Sequence, residues 1–380
     1  MILCENGPDA AAVLFEHPVE LVIAWAADEV APALARLDVA RSTGHWVAGY
    51  ATYEAGLALE PRLAGRVRAG AGEPLLVFGI YRERQGADDI LRQASIQARG
   101  LSLAPLQARL TRADYNSAME RIAAYIAAGD CYQINLTFPL ESALRGGTPL
   151  GLYGALRAGQ WVGHGAYCDL GVGPVVVSRS PELFFAVDAG GQISARPMKG
   201  TAPRGADPEE DAALAEALFQ SEKARAENLM IVDLLRNDIG RISVIGSVKV
   251  PELYQVEAFS TVHQMSSRVV GQLVGRPGLA GLMQALLPCG SITGAPKIRA
   301  MEIIAELEAE PRCVYCGAIG WMGPDGRAAF NVAIRTLRVY PDGRVMMNVG
   351  GGVVADSTAD GEWEEALWKT RFAHGLVQRT

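Results

Sequence analysis

One lysine in the sequence has neighbours that set it apart from the others. It lies in ARPMKGTAPRG, residues 195–205, where Pro197 precedes Lys199 by two positions and Gly200 follows it directly. Proline fixes the backbone and glycine permits sharp turns, so the segment is suited to hold one conformation. A lysine acts as a nucleophile only when it is neutral, whereas most lysines are exposed and carry a solvated charge. The segment raises the question of which kind Lys199 is.

Acidic residues occur in two further segments that are predicted to be helical. In KARAENLMIVDLLRNDIG, Glu227 lies one turn before Ile231 in a strongly apolar window. In DGEWEEALWKTRFAHGLV, the residues Glu362, Glu365 and Lys369 are spaced i, i+3 and i+7 and share one face. A solvated face with internal ion pairs is the ordinary interpretation of that second pattern.

The elements that precede Lys199 follow from hydrophobic periodicity. In TRADYNSAMERIAAYIAAGD, apolar residues recur at steps of four, three and four, which predicts an amphipathic helix that stops near Gly129. These residues are Tyr115, Met119, Ile122 and Ile126. In CYQINLTFPL, apolar and polar residues alternate, which predicts a strand with Gln133 on its polar face. On a lone strand that polar face would ordinarily be solvated.

Turn and cap signals organise the middle of the chain. GPVVVSRSPELFFAVDAGGQISARPMKG predicts several strands, with a turn at Gly190 and Gly191. Asp207 as N-cap, Pro208 at the first helical position and Glu210 closing a capping box predict a helix start. Two helices are expected to follow, and the second contains the Glu227 segment.

Two glycine-containing segments are suited to bind an anion or a ligand. LLPCGSITGAPKIRAMEIIAELEAE predicts a loop that leads into a helix with Pro296 in its first turn. The N–H groups of Thr293, Gly294 and Ala295 would then be free to attract an anion, although the spacing does not match a phosphate-binding P-loop. Two Pro-Asp-Gly turns precede three consecutive glycines, 350–352, where a bare backbone permits close approach of a ligand.

Composition excludes several classes of protein. The chain has 380 residues, of which 49% are hydrophobic and 20% charged, and its net charge is −7. An acidic balance without a Lys/Arg run argues against nucleic-acid binding. Because no leader-like N-terminus or membrane-length apolar run occurs, we expect a cytoplasmic protein without membrane contact. The six scattered cysteines are expected to be reduced. The lone CxxC of Cys313 and Cys316 lacks the partners of a zinc site, and Tyr315 between them is predicted to lie in an apolar strand.

Taken in order, these segments resemble the chorismate-utilising enzymes, the family of anthranilate, isochorismate, salicylate and aminodeoxychorismate synthases. The matching stretches cover about residues 112–376 and are GDCYQINLT, SRSPELFF, RPMKGT, AENLMIVDLLRNDIGRI, GSITGAPKIRAMEII, YCGAIGW, FNVAIRT and GGGVVADSTADGEWEEALWKT. The resemblance implies an α+β fold, a layered assembly of two β-sheets flanked by helices with the site between them. Residues 1–105 would form an N-terminal subdomain with a packing or regulatory role, and residues 106–380 the chorismate-binding catalytic region.

The residue at position 199 separates the members of this family. Anthranilate and isochorismate synthases carry alanine there, whereas aminodeoxychorismate synthases read Pro-Ile-Lys-Gly-Thr, and this chain reads Pro-Met-Lys-Gly-Thr. The resemblance implies that Lys199 attacks C2 of chorismate as the C4 hydroxyl leaves, and that ammonia then attacks C4 and expels the lysine. Lowering a lysine pKa from about 10.4 by roughly three units corresponds to about 4 kcal/mol, which a dry site can supply.

The resemblance also implies the other site residues. Glu182 would be the general acid, and His263 would lie near the departing hydroxyl unless it is a buried structural histidine. Mg²⁺ on Glu227 and Glu365, with Glu362 in support, would hold the ring carboxylate. The substrate-binding residues would be Gln133, Thr201, Thr293, Gly294, Tyr315, Arg335, Gly350, Gly351, Gly352 and Lys369. Among these, Tyr315, Arg335 and the glycines would receive the enolpyruvyl carboxylate.

Gln133 indicates which nucleophile is used. Family members that add water to the ring carry a lysine base at this position, and glutamine cannot deprotonate water, whereas ammonia needs no base. The expected product is therefore 4-amino-4-deoxychorismate, a precursor of p-aminobenzoate and folate. No Gly-x-Cys-x-Gly segment occurs, so a separate glutamine amidotransferase subunit would supply the ammonia. No lyase domain follows Thr380, so a separate aminodeoxychorismate lyase would act next.

Three alternatives stay open at this point. The chain could act as an anthranilate synthase, against which Lys199 argues. It could be a non-catalytic homologue that binds chorismate and has lost turnover. It could also perform the same amination for antibiotic synthesis rather than for folate.

Overall fold

The computed structural model describes residues 1–259 and 262–377, in which strands and helices are interspersed along the chain. The strands are β1 (Ile2–Cys4), β2 (Val13–Phe15), β3 (Glu20–Ala24), β4 (Trp46–Ala51), β5 (Leu76–Tyr81), β6 (Gln85–Gly86), β7 (Ser102–Leu103), β8 (Gln107–Ala108), β9 (Gln133–Gly146), β10 (His164–Cys168), β11 (Val175–Ser180), β12 (Leu183–Val187), β13 (Gln192–Arg196), β14 (Met198–Pro203), β15 (Lys249–Ala258), β16 (Val262–Gln272), β17 (Gly294–Ala295), β18 (Ala318–Met322), β19 (Ala328–Val332), β20 (Thr336–Val339) and β21 (Arg344–Val353). The helices are α1 (Ala27–Ser42), α2 (Tyr53–Leu59), α3 (Asp88–Gln97), α4 (Arg112–Ala127), α5 (Pro149–Gly159), α6 (Pro208–Gln220), α7 (Glu222–Gly240), α8 (Leu279–Leu286), α9 (Lys297–Leu307), α10 (Ala359–Trp368) and α11 (Arg371–His374).

The strands form two antiparallel sheets. The first has 11 strands in the order β17-β9-β21-β20-β11-β10-β1-β2-β6, and β7 and β8 also pair with β9. The second has 10 strands in the order β14-β16-β13-β12-β19-β18-β4-β5-β3, and β15 also pairs with β16. Two sheets accompanied by helices confirm the predicted α+β layered fold.

Apolar side chains from both sheets form one of the buried cores. Phe15 and Ile2 of the first sheet belong to the same buried cluster as Tyr50, Tyr81 and Trp321 of the second. A larger cluster unites the remaining sheet surfaces with the helices that cover them. Burial of this apolar surface is the main force that holds the two sheets and the helices together.

Several local predictions are confirmed by the structure. The predicted amphipathic helix is α4, and Gly129 just after its end adopts φ +80°. The side chain of Asp207 caps α6 by accepting from two backbone N–H groups. The capping box is wrong in one detail, because Glu210 accepts from the N–H of Ala206 and not from that of the cap residue. The predicted turn at Gly190 and Gly191 joins β12 to β13.

Two local predictions need correction. The C-terminal segment forms two helices, because α10 ends at Trp368 and α11 begins at Arg371. Tyr315 lies in a turn between α9 and β18 rather than in a strand. The cysteines on either side of it, Cys313 and Cys316, have φ values of +55° and +62°, which a strand does not accommodate.

The N-terminal segment contributes to both sheets. Residues 1–105 supply β1, β2, β6 and β7 to the first sheet and β3, β4 and β5 to the second. The active-site strands β9, β14 and β21 all belong to the segment predicted to be catalytic, residues 106–380, whose last three residues lie outside the described part. Within the described residues, no helix is both long enough and apolar enough to cross a membrane.

Candidate active site

A cleft of about 570 Å³ is lined by both sheets and by α7 and α10. This volume is typical of a small-molecule site. Ten of the residues predicted from the sequence line it, and they are Glu182, Lys199, Thr201, Glu227, Tyr315, Arg335, Gly350, Gly352, Glu365 and Lys369. Side chains more than 100 positions apart in the sequence therefore meet in one cavity.

Lys199 is presented by an irregularity in β14. The pairing of β14 with β16 shifts register between Met198 and Thr201, and Gly200 between them adopts φ +91°. The side chain of Gln264 fills the gap, since its Nε2 donates to the Gly200 carbonyl over 2.9 Å. Its Oε1 accepts from the Thr201 hydroxyl over 3.2 Å. The rigid segment predicted around Lys199 is thus a bulge that a neighbouring side chain holds in place.

The surroundings of Lys199 favour its neutral form. Burial lowers the pKa of Lys199, and the nearby charge of Lys369 acts in the same direction. Glu227 opposes this, because its Oε2 lies 4.0 Å from Lys199 Nζ. Glu365 and Glu362 oppose it more weakly. The net result is a partly desolvated amine that loses its proton more readily than an exposed lysine.

Gln133 is a direct neighbour of Lys199. Its side chain is fully buried, so a solvated polar face on β9 is the wrong interpretation. Within the described residues, neither its Oε1 nor its Nε2 has a hydrogen-bond partner. A Cβ added to Gly352 would lie 2.7 Å from Lys199 Nζ and 2.9 Å from Gln133 Nε2. The amine and the amide therefore share the small space above this glycine.

We predict that Gly352→Ala lowers activity by about 100-fold while leaving the free energy of unfolding nearly unchanged. The new methyl group would displace the ends of the Lys199 and Gln133 side chains, which costs little stability because the Gln133 amide makes no hydrogen bond within the described residues, but it misplaces the amine by about 1 Å. Steady-state kinetics and urea denaturation measure the two effects. Gly159→Ala is the control, because a Cβ there meets nothing within 4 Å. Equal activity of the two variants would contradict the prediction.

Glu182 lies between β11 and β12 and is buried rather than exposed on a strand. Only 4% of it is exposed, and its Oε1 accepts a hydrogen bond from the Ser291 hydroxyl over 2.7 Å. Burial raises the pKa of Glu182 to about 7, against the opposing effects of Ser291, Lys199 and Arg335. A carboxyl group with such a pKa is still protonated in a large fraction of molecules near neutral pH. Glu182 can therefore donate a proton inside the cleft.

Acidic residues of α10 approach the cleft from the other side of the glycines. A Cβ on Gly351 would lie 2.9 Å from Glu362 Oε2, 3.6 Å from Lys369 Nζ and 3.7 Å from Glu365 Oε1. Burial raises the pKa of Glu362, and the charge of Glu365 adds to that rise. Desolvation alone would raise the pKa of Glu365, whose side chain is 56% exposed, but the charge of Lys369 and their 2.8 Å ion pair outweigh it and lower this pKa. This face therefore borders the cleft, and at the same time Glu365 and Lys369 form the partly exposed internal ion pair that a solvated face would have.

The carboxylates at the cleft suit Mg²⁺ both by their oxygen ligands and by their number. In residues 1–259 and 262–377, no group of three His, Cys, Asp or Glu side chains could hold a metal ion by itself. Mg²⁺ usually takes only one or two protein carboxylates and completes its shell with water and substrate oxygens. Glu227 and Glu365 both line the cleft and supply such oxygens, and the like charges of Glu362 and Glu365 favour a cation nearby.

Arg335 and Tyr315 lie along the same cavity. Arg335 has φ +50°, a conformation that non-glycine residues adopt rarely and that often marks a functional site. Among the residues with described positions, none forms an ion pair with its guanidinium. The planar guanidinium can therefore donate two hydrogen bonds to a carboxylate. Tyr315 is almost fully buried and belongs to the same lining.

His263 lies outside the cleft lining. Its Nε2 is 2.8 Å from Asp211 Oδ1 of α6, and Arg204 donates to the same carboxylate. The next residue of β16, Gln264, lines the cleft, and successive side chains of a strand point to opposite faces. The structure therefore does not bring the His263 ring into the cavity.

The prediction of free N–H groups in the GSITGAP loop is wrong in part. The N–H of Thr293 donates to the Gly290 carbonyl, and so does its hydroxyl, over 3.1 Å. Gly294 and Ala295 form β17 and pair with β9. Neither Thr293 nor Gly294 belongs to the cleft lining, which this loop reaches through Ser291 and Ile292 instead.

Several lining residues were not identified from the sequence. They are Asn135, Gln264, Ser291, Asn348 and Trp368. Asn135 shares the polar face of β9 with Gln133, so strand alternation could have identified it. Ser291 lies within the GSITGAP motif and Gln264 next to His263, but neither residue type signals a role by itself, because the position of each in the cleft depends on the tertiary structure.

The chain is similar to proteins of known name. The profile of a family described as chorismate binding enzyme matches residues 9–374. Aminodeoxychorismate synthase component 1 of Escherichia coli K12 is 43% identical over 263 residues, which are 69% of this chain and 57% of that protein. Anthranilate synthase component 1 of Streptomyces coelicolor is 45% identical over 273 residues, which are 72% and 53%. The chain thus matches somewhat more than half of the length of these relatives.

Solved structures show the same fold. Anthranilate synthase component I from Streptococcus pneumoniae TIGR4 superimposes with a TM-score of 0.80 at 27% identity, over 94% of this chain and 91% of that one. An isochorismate synthase structure from Bacillus anthracis gives a TM-score of 0.76 at 22% identity, over 99% and 96%, and shows the fold alone. With its two sheets, its acid-lined cleft and a family profile that spans nearly its whole length, the chain belongs to the family of chorismate binding enzymes.

Proposed function

We propose that this chain aminates chorismate at C4 to form 4-amino-4-deoxychorismate, as component I of an aminodeoxychorismate synthase. The observation that carries the proposal is the partly desolvated Lys199 amine, which shares a cleft with the protonatable Glu182 carboxyl. Sequence similarity alone does not decide the activity, because named aminodeoxychorismate and anthranilate synthases match almost equally well. The chemistry of the cleft favours amination.

The first step forms a bond between the enzyme and the ring. The lone pair of neutral Lys199 Nζ attacks C2, the two ring double bonds shift, and the C4–O bond breaks. Glu182 transfers its proton to the departing oxygen, which leaves as water. A buried carboxyl with a pKa raised to about 7 is suited to this transfer near neutral pH.

The second step releases the lysine. The lone pair of ammonia attacks C4, the double bonds shift back, and the C2–N bond breaks with its electron pair returning to Lys199. Gln133 cannot remove a proton from water, and its unpaired amide beside Lys199 can hydrogen-bond to ammonia instead. This arrangement disfavours attack by water at the same face.

Charged groups at both sides of the cleft would hold the dicarboxylate substrate. Arg335 is available to grip one carboxylate, with the Gly350 and Gly352 backbone beside it. Glu227 and Glu365 would hold Mg²⁺, which supplies positive charge to bind and orient the ring carboxylate. Lys369 lines the same side and adds a further positive charge.

The nitrogen source would be a second protein. The name component 1 in the relatives implies a further component. We infer that a glutamine amidotransferase subunit delivers ammonia to the cleft, and that free ammonia replaces it at high concentration. An aminodeoxychorismate lyase would then convert the product to p-aminobenzoate.

The product decides between amination at C4 and anthranilate synthesis. We expect that the protein, incubated with chorismate, Mg²⁺ and an ammonium salt, yields p-aminobenzoate only after an aminodeoxychorismate lyase is added. Liquid chromatography with fluorescence detection distinguishes p-aminobenzoate from anthranilate. Fluorescent anthranilate formed without the lyase would overturn the proposal in favour of anthranilate synthase. Unchanged chorismate, with ammonia and with a glutaminase partner, would indicate a binding homologue without turnover.

A further inference from the structure

Ser291 joins the carboxyl of Glu182 to a buried thiol. Its hydroxyl donates to Glu182 Oε1 over 2.7 Å, and both side chains line the cleft. On its other side, Cys289 Sγ lies 3.3 Å from Ser291 Oγ. A serine hydroxyl has one proton, so donation to Glu182 leaves Ser291 Oγ as the acceptor for the thiol. Burial raises the pKa of Cys289 to about 12, so the thiol keeps the proton that it donates.

The backbone around Ser291 is held in place. Ser291 is the middle residue of the 3₁₀ turn Gly290–Ile292. The carbonyl group of Gly290 accepts a hydrogen bond from the Thr293 hydroxyl over 3.1 Å. The carbonyl group of Ile292 accepts one from Arg312 Nη1 over 2.8 Å. Arg312 is fully buried and ion-paired with Glu308. The serine hydroxyl is thus fixed in position relative to the cleft.

The hydrogen bond from Ser291 makes the two oxygens of Glu182 unequal. Oε1 is engaged, and Oε2 makes no hydrogen bond within the described part of the chain. We propose that Ser291 is a positioning residue, which directs the acidic proton of Glu182 to Oε2, the oxygen left for the hydroxyl that departs from C4. The inference rests on the proposed amination, in which Glu182 is the proton donor.

Ser291 also adjusts the strength of the acid. A hydrogen bond to a carboxylate stabilises its ionised form, and here Ser291 opposes the effect of burial on the pKa of Glu182. Without the hydroxyl, the carboxyl would hold its proton more tightly and would donate it less readily. Ser291 therefore contributes both the direction and the acidity of the donated proton.

The test compares Ser291→Ala with Ser291→Thr in the full chain. We expect Ser291→Ala to aminate chorismate about 10-fold more slowly at neutral pH. Without the Ser291 hydroxyl, Glu182 is a weaker acid and its proton is no longer directed to one oxygen, so it protonates the departing hydroxyl more slowly. We also expect the titration of Glu182 to move up by about one pH unit. Ser291→Thr keeps a hydroxyl and should restore most of the rate. The matched control is Ser243→Ala, which removes a buried hydroxyl without a partner among the described residues.

Two readouts separate this inference from the proposed function. One is the pH dependence of kcat/KM with the free ammonia concentration held constant. The other is an infrared titration of the substrate-free protein, using the carboxyl C=O band that disappears in Glu182→Gln. If Ser291→Ala has the wild-type rate or an unshifted infrared titration while amination persists, Ser291 is not a positioning residue. If the wild-type protein forms no aminated product, the proposed function fails and this inference with it.

Discussion

Lys199→Ala should lower the rate of amination by at least about 10³-fold, since it removes the atom that bonds to C2. The structure supports a role beyond charge, because burial favours the neutral form of this amine and Gly352 leaves room for it beside Gln133. Lys199→Arg should be similarly inactive. Arginine retains a positive charge opposite Glu227 but stays protonated and cannot act as a nucleophile at working pH.

Two further measurements make this prediction specific. Lys223→Ala is the control, because Lys223 is an exposed lysine paired with Asp356 over 2.9 Å, and its loss should leave the rate nearly unchanged. With chorismate but without ammonia, mass spectrometry of the wild-type protein should detect an adduct of chorismate less one water on Lys199. Amination by Lys199→Arg at the wild-type rate would show that no covalent bond to Lys199 is needed.

Elements with a strong periodic pattern were predictable from the sequence. Helix α4 and strand β9 each have an apolar face that must be buried, and this requirement fixes both the type and the orientation of the element. The turn glycines were also predictable, since Gly326 and Gly343 adopt the positive φ that their Pro-Asp-Gly turns suggest. Local physical chemistry is sufficient for such features.

The surroundings of the charged residues were not predictable from spacing. Glu362 and Glu365 are arranged like an ordinary solvated face, and nothing in α10 itself shows that Gly351 of β21 lies beneath them. Lys199 and Gln133 meet only because β9, β14 and β21 are brought to one place by pairings that span much of the chain. The pKa of each group depends on neighbours that only the tertiary structure supplies.

The register of β16 decides which of two adjacent polar residues enters the cleft. His263 and Gln264 are adjacent, and a strand sends them to opposite faces, so only one can enter the cleft. The pairing of β16 with β14 places Gln264 against the Lys199 segment and His263 against Asp211. Both residues are polar, so hydrophobic patterning could not have decided between them.

The pH dependence of the reaction should identify Glu182 as the acid. Productive enzyme needs a neutral Lys199 and a protonated Glu182, so its concentration rises with pH only until Glu182 begins to lose its proton, at about 7. With free ammonia held constant, the rise of log kcat/KM with pH should therefore end near that pH. Glu182→Gln cannot donate a proton and should be slower by about 10² to 10⁴-fold. Its residual rate should continue to rise as Lys199 becomes neutral.

Glu54→Gln provides a matched control for this experiment. Glu54 is also a buried carboxyl whose pKa is raised by burial to about 7, but it accepts from the Arg312 backbone and does not line the cleft. Glutamine can still accept that hydrogen bond, so the variant should keep both the rate and the pH profile of the wild-type protein. If Glu54→Gln removed the change of slope near pH 7 and Glu182→Gln retained it, Glu182 would not be the proton donor.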